Sequence, residues 1–380
     1  MTGASFVEPA SGTLYPLDVP RWRSNDGKPL LVTPQRGIVR DEIERAVRSL
    51  WRYKASLPVA ILHPITMGEG CTPLVQRAWD DHRPYFKQEW FSPTGSFKDR
   101  GSSVMLSYLR QLGVKAVLED SSGNGGSSVA GFGAAGGMRV KILAPAGTSP
   151  AKIAQARAYG AEVQLVEGPR EESEAEAIRQ SGQTFYASHN WHPFFLEGTK
   201  SLAYELWEDL GFRAPDNVFT PVGAGSSLLG CYLGFRELLA AGQIGKMPRL
   251  FAVRPANCSP IDASFRAGAD TPTPREVRKT IAEGAAIRQP RRMREILRAL
   301  RETGGQTVAV SEDEILRALR RLAHDGIFVE PTSAVAMAGF DKAATALTIA
   351  RRDTTVVILT GTGLKSPIGF DGAAAERGRD

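Results

Sequence analysis

Cysteine is nearly missing from this sequence. Cys71, Cys231 and Cys258 are odd in number, far apart and in no CxxC pair, which argues against a disulfide framework and against a thiolate zinc site. A reducing, cytoplasmic setting is the expectation that follows. Histidine is scarce too, with five in 380 residues. His189 and His192 stand three apart in SHNWHPF, without an HExxH pattern or a neighbouring cysteine, so no metal site is expected. No apolar run approaches the ~20 residues that span a bilayer. The N-terminal MTGASFVEPASG lacks a basic start ahead of an apolar core, so neither a membrane span nor a secretory signal is expected. Long runs of one charge sign are also missing. Lys+Arg 47 against Asp+Glu 41 gives +6, and the basic residues are scattered, which speaks against nucleic acid and for an anionic small ligand at most. The densest basic stretch, Arg288 to Arg301, carries Met293, Ile296, Leu297 and Leu300 at helical spacing and reads as the solvated face of a packed helix.

What is present is an ordinary globular composition, 42% hydrophobic and 23% charged, enough for one large domain or two interleaved ones. From Val114 the chain alternates strand-like and helical segments: VKAVLED, a loop SSGNGGSS, the small-residue helix VAGFGAAGG, VKILAPA, a helix over PAKIAQARAYG, AEVQLVEG, a helix through REESEAEAIRQSG, and TFYAS. Such repetition with short connections predicts a mostly parallel sheet with helices on both faces. A second series follows: the helix EGTKSLAYELWEDLG, the strand NVFTPV, the helix SSLLGCYLGFRELLAAG and the strand RLFAVRP. Ser311 and Glu314 form a capping signal ahead of EILRALRRLAH, and TTVVIL reads as a buried strand. With no fixed-period repeat and no low-complexity linker, two interleaved α/β domains are expected.

Several strands lead into loops of Gly, Ser and Thr, where parallel-sheet proteins bind ligands. In PVGAGSSLLG, Gly223, Ala224, Gly225, Ser226 and Ser227 lie between a strand and a helix start, an arrangement suited to phosphate. The loop is neither GxGxxG followed by an acid about twenty positions on nor a GK[ST] P-loop. DSSGNGGSS offers amides and hydroxyls suited to a carboxylate, with Asn124 able to donate and accept. TGTGLKSP, from Thr360 to Pro367, offers a neutral hydroxyl at a strand end. FSPTGSFKDRG sets Lys98 after an aromatic residue and a Ser/Thr/Gly cluster at a predicted helix start. A tight strand-to-helix turn, a flexible linker or a helix-initiating charge is the plain alternative for each taken alone. One cofactor accounts for all four together: pyridoxal 5'-phosphate, held as a Schiff base by a lysine and reacting with an amino acid.

SPTGSFKDRG, SSGNGG, GAGSS, VEPTSA and TGTGLK, in that order, resemble the fold-type II pyridoxal-phosphate enzymes of the tryptophan synthase β family. GEGCTPL at Gly68 to Leu74, LEGTKSLAYEL, TIAEGAAI and TGTGLK are most similar to threonine synthase. The resemblance implies two interleaved three-layer αβα domains with mostly parallel sheets: a large cofactor-binding domain over 1–100 and 189–380, and a smaller mobile α/β domain over 101–188. It implies that Lys98 bonds the cofactor, that Asn124 faces its 3-hydroxyl, that Gly223, Ala224, Gly225, Ser226 and Ser227 hold its phosphate, and that Thr360 meets its pyridine nitrogen. Ser121, Ser122, Gly123 and Gly125 would bind the α-carboxylate of the amino-acid substrate. A homodimer is implied by the family alone. Lys98 must be neutral for part of the cycle to take the Cα proton, and a helix start away from water lowers an ammonium's pKa toward that task. Asp99 and Arg100 are expected to cap and pair, and Glu330 in VEPTSA to be structural.

The sequence also departs from the family. Threonine synthases carry NPxRLEGQK, whereas HPFFLEGTK puts Phe195 where the arginine would contact substrate phosphate, a contact phenylalanine cannot make. GAGSS likewise stands where GNAGN is usual. The expected reaction is conversion of O-phosphohomoserine to threonine and phosphate. The alternative is β-elimination or β-replacement on serine, threonine or an O-activated serine, as in dehydratases and cysteine or cysteate synthases. A protein that holds the cofactor without turnover is a third reading, which Lys98, Asn124 and Thr360 together disfavour.

Overall fold

The computed structural model describes residues 3–365; Ser366 and Pro367 of the last loop lie outside the described residues. The chain divides into two compact units that it visits in turn. One comprises the N-terminal part through Cys71, Ser92–Glu205 and Leu233–Gly245; the other comprises Thr72–Phe91, Leu206–Tyr232 and the part from Lys246 onward. The interleaving of two α/β units agrees with the sequence.

In the first unit, β1 (Phe6–Val7), β2 (Leu14–Tyr15) and β3 (Leu31–Val32) form a small antiparallel sheet. The main sheet holds β6 (Ala116–Glu119), β7 (Arg139–Pro145), β8 (Glu162–Val166) and β9 (Phe185–Tyr186), all parallel, in the order β8-β7-β6-β9. Its helices are α1 (Lys98–Gln111), α2 (Asn124–Ala135), α3 (Pro150–Ala158), α4 (Arg170–Gln180) and α5 (Pro193–Thr199). Successive strand residues point to opposite faces. Accordingly Val117 and Ile142 pack with Val129 and Phe132 of α2 and Ala156 of α3, while Leu118 and Leu143 pack with Ala177 of α4. That alternation makes three layers. Helix α1 lies against α2 and α5, and its Tyr108 ring stacks on Phe194 at 3.6 Å between centroids.

The second unit's sheet has the order β12-β11-β10-β13-β5-β4, built from β4 (Leu74–Gln76), β5 (Tyr85–Gln88), β10 (Asn217–Pro221), β11 (Arg249–Pro255), β12 (Gln306–Val310) and β13 (Thr355–Leu359). Pairing is parallel except between β4 and β5. Strands β10 and β13 are buried along their whole length, which is why NVFTP and TVVIL read as near-continuous apolar runs rather than alternating ones. Phe219 and Phe251, opposite each other in register, stack at 4.2 Å under α10 (Glu312–His324) and α11 (Pro331–Thr345). Ser311 and Glu314 form the expected capping box on α10. On β11 and β12 also lie α8 (Pro260–Arg266) and α9 (Met293–Glu302). Met293, Ile296, Leu297 and Leu300 are the buried face of α9, as their spacing predicts; Arg292 at its start is buried rather than solvated. Two further helices, α6 (Ser201–Asp209) and α7 (Ser226–Ala240), each carry the chain from one unit to the other.

Candidate active site

The sequence-predicted residues fall into two groups, one in each unit. In the first unit, β6 ends at Glu119 and α2 begins at Asn124, five residues before the sequence reading has it. Glycine is a poor helix former, yet here packing decides: a Cβ on Gly125 would stand 2.8 Å from the His189 ring and one on Gly126 1.8 Å from the Ser121 carbonyl oxygen. Ser121, Ser122 and Gly123 form the turn that leads in, and the Ser127 amide donates back to the Gly123 carbonyl at 3.0 Å. The first amides of α2 therefore have no intrahelical acceptor and carry the helix's partial positive charge, which suits a carboxylate.

Lys98 opens α1. Its Nζ lies 4.9 Å from the Phe97 ring centroid and 5.6 Å from that of Phe195, so two aromatic rings flank the half-buried side chain. Asp99 and Arg100 cap and pair. Asp99 accepts from the Thr94 amide at 2.7 Å, from Thr94 Oγ1 at 2.5 Å and from Ser128 Oγ at 2.7 Å, tying the 94–99 turn to α2. Arg100 makes a buried ion pair with Glu205, Nη2 to Oε1 at 2.8 Å.

Next to these lies a buried acid–imidazole cluster, of which the sequence singled out His189 alone. His189 donates its backbone N–H to Glu119 Oε2 at 3.0 Å, and its Nδ1 meets Glu119 Oε1 at 2.8 Å. Tyr186 donates to Asp120 Oδ1 at 2.7 Å. Burial pushes the Glu119 carboxyl up to about 7, and burial together with Glu119's charge pushes Asp120 up to about 6. Burial first, and then the charge of Lys98, hold His189 well below its ordinary value. Two adjacent acids at the end of an apolar strand were the available sequence signal.

In the second unit, Gly223, Ala224 and Gly225 lie between β10 and α7, and Ser226 and Ser227 open α7. Gly225 has φ of 94°, the left-handed region that favours glycine, and a Cβ there would come within 2.4 Å of Ile296 Cδ1. The buried Arg254 guanidinium donates to the carbonyls of Gly223 at 2.9 Å, Cys258 at 3.0 Å, Ala285 at 3.1 Å and Ile287 at 2.9 Å, so it fixes the loop. Ser227 Oγ lies 2.8 Å from Thr220 Oγ1. Strands β10 and β13 are parallel neighbours, so the loop and Thr360 emerge from the same sheet end. Thr360 is buried, its Oγ1 3.1 Å from Ser333 Oγ. Glu330 caps α11, its N–H donating to the Gly361 carbonyl at 3.1 Å, and its carboxylate fills the space a Cβ on Gly361 would need.

These residues fit pyridoxal 5'-phosphate by the chemistry of their donors: a glycine-shaped loop at the start of a 15-residue helix for a phosphate, a neutral hydroxyl for a ring nitrogen, and an amine beside anion-binding amides.

Comparison with known proteins agrees. The family described as "Pyridoxal-phosphate dependent enzyme" matches residues 65–361. Threonine synthase of Methanosarcina acetivorans is 35% identical over 336 residues, covering 86% of this chain and 82% of the relative. Threonine synthase of Methanocaldococcus jannaschii is 34% identical over 337 residues, covering 86% and 83%. Among solved structures, O-ureido-L-serine synthase superposes with a TM-score of 0.68 at 23% identity, over 84% of this chain and 98% of that one, a likeness of fold. The chain belongs to the pyridoxal-phosphate dependent enzymes, and pyridoxal 5'-phosphate is its cofactor.

Proposed function

We propose that this enzyme is a threonine synthase, converting O-phosphohomoserine to threonine and phosphate. The observation that carries the reading is the likeness to curated threonine synthases over 86% of the chain, together with a lysine at the head of α1 in the same unit as a carboxylate-binding helix start. When bound, the cofactor supplies an electron sink that acidifies the substrate's Cα–H. Lys98 is the amine that binds the cofactor's aldehyde and moves the proton at Cα. The rings of Phe97 and Phe195 flank that amine and limit the directions from which it is reached. Ser121, Ser122, Gly123 and Gly125 hold the α-carboxylate through the turn that leads into α2 and the helix's first residues, and Asn124 orients the cofactor's 3-hydroxyl. Gly223, Ala224, Gly225, Ser226 and Ser227 bind the cofactor phosphate. Thr360, a neutral hydroxyl beside Ser333, donates to the ring nitrogen without enforcing its protonation. That favours elimination and replacement over transamination.

A second reading, β-elimination or β-replacement on serine, threonine or an O-activated serine, is favoured by Phe195. That side chain is wholly buried and offers no cation for a substrate phosphate. Incubation with O-phosphohomoserine, with threonine and phosphate both measured, separates the two. Stoichiometric release supports threonine synthase; no turnover, with a 2-oxo acid formed from serine or threonine, supports the second. A cytoplasmic homodimer whose residues 101–188 move on substrate binding completes the reading, and sedimentation of the loaded enzyme tests the dimer. No helix of the described residues is long and apolar enough to cross a membrane.

A further inference from the structure

His189 is 5% exposed and Glu119 wholly buried. One carboxylate grips the histidine twice, at its backbone N–H and at Nδ1, which fixes both the position and the rotation of the ring. The ring edge bearing Nδ1 and Cε1 rests on Gly125, 2.8 Å from where a Cβ would be. On another side the ring meets Phe195 at 5.7 Å, and Phe195 in turn flanks the Lys98 amine at 5.6 Å. Nε2, bonded to the same Cε1, has no hydrogen-bond partner among the described residues. That atom keeps a path to solvent, so a ligand can reach it, and its ring packs against Gly125 at the start of α2 and against Phe195, which flanks the lysine, within one unit.

With Nδ1–H donated to the Glu119 carboxylate, Nε2 carries a lone pair. It is therefore an acceptor, unsuited to a carboxylate and suited to an O–H. We propose that His189 contacts the substrate: its Nε2 accepts the O–H of the bound amino acid's side chain, or of a water beside it, and Glu119 is the positioning residue that fixes the tautomer. The proposal rests on the functional reading above. When Nε2 takes that proton, the imidazolium is held by the Glu119 carboxylate and returns the proton to solvent. The charges facing the ring are Glu119, Asp120 and Glu174 as anions and Lys98 and Arg170 as cations. As pH falls through about 7, the Glu119–His189 pair takes up one proton. Nε2 then bears hydrogen whether that proton is counted on the acid or on the ring, and its acceptor role is lost.

L-Threonine and L-2-aminobutyrate differ by that O–H, so they are the probes. Their affinities are measured by rapid spectral titration of the cofactor-loaded enzyme at pH 8. L-Threonine is expected to bind about tenfold more tightly, the scale of one hydrogen bond from a buried group, with the advantage fading below pH 7. His189→Leu should bring the ratio to near one. Glu119→Gln keeps an acceptor for the His189 amide but turns a donor toward Nδ1, moving the proton to Nε2. The ratio should fall there too, and the 15N resonance of His189 Nε2 should move from the unprotonated to the protonated range; this variant decides the matter if His189→Leu does not fold. A parent enzyme without preference, or a ratio unchanged in the variants, overturns the proposal. If borohydride leaves no adduct on Lys98, the pyridoxal reading fails and takes this one with it; a labelled Lys98 with an unchanged ratio overturns the His189 role alone.

Discussion

The Phe195 ring lies against the backbone of Gly101, 2.5 Å from the point a Cβ would occupy. A methyl group there has no room, and the ring it would push is the one that flanks Lys98. Gly101→Ala is therefore expected to cost about 1–3 kcal/mol, as overpacking does, and to weaken cofactor binding as the α1–α5 seam opens. Urea unfolding with and without cofactor checks both. Wild-type stability in the variant would contradict the tight seam.

The Arg100–Glu205 pair is wholly buried, and Glu205 also accepts the Cys71 amide at 2.8 Å. Glu205→Ala leaves a guanidinium and an amide without their acceptor, at an expected cost of about 3–5 kcal/mol. Arg100→Met combined with Glu205→Leu should recover much of that loss, because the penalty belongs to the stranded charge rather than to the bond. Thermal unfolding of the single and double variants measures the difference.

Asp341 accepts the Trp79 indole N–H at 2.6 Å, while burial pushes its carboxyl up to about 6. A carboxyl whose pKa is raised on folding stabilises the fold most below its unfolded value, and this contribution is lost as pH rises through the folded one. Asp341→Asn keeps the indole's acceptor and removes the ionisation. It is expected to gain on the order of 1 kcal/mol over the parent at pH 8 and nothing near pH 4. Equal stability differences at both values would contradict this.

Gly225 combines a φ of 94° with contact to Ile296. Gly225→Ala should displace the start of α7 and lower affinity for the cofactor phosphate, with a stability cost of about 1–3 kcal/mol from the strained backbone. Equilibrium dialysis of pyridoxal 5'-phosphate reads the first effect, and denaturation of the cofactor-free protein reads the second.

Local chemistry made much of this fold legible. The strand–loop–helix alternation, the Ser311–Glu314 cap and the buried face of α9 follow from spacing alone, and Asp99 and Arg100 cap and pair as expected. Strands β1 to β3 have two residues each, too few to display a period, and β4 and β5 took no part in the strand–helix alternation that marks the rest. The start of α2 was misjudged because its glycines have low helix propensity, and only the tertiary approach of His189 and Ser121 explains them. Glu119 and His189 are 70 positions apart, so their pairing had no local signature. Phe195 was visible as a departure, but its place against Lys98 was not.

The most direct measurement is reduction of the pyridoxal 5'-phosphate-saturated enzyme with borohydride, followed by peptide mass mapping. A single pyridoxyl adduct on Lys98, absent from Lys98→Ala, is the expected result. An unlabelled peptide at Lys98, or a label on another lysine in its stead, would contradict the assignment on which every proposed role here depends.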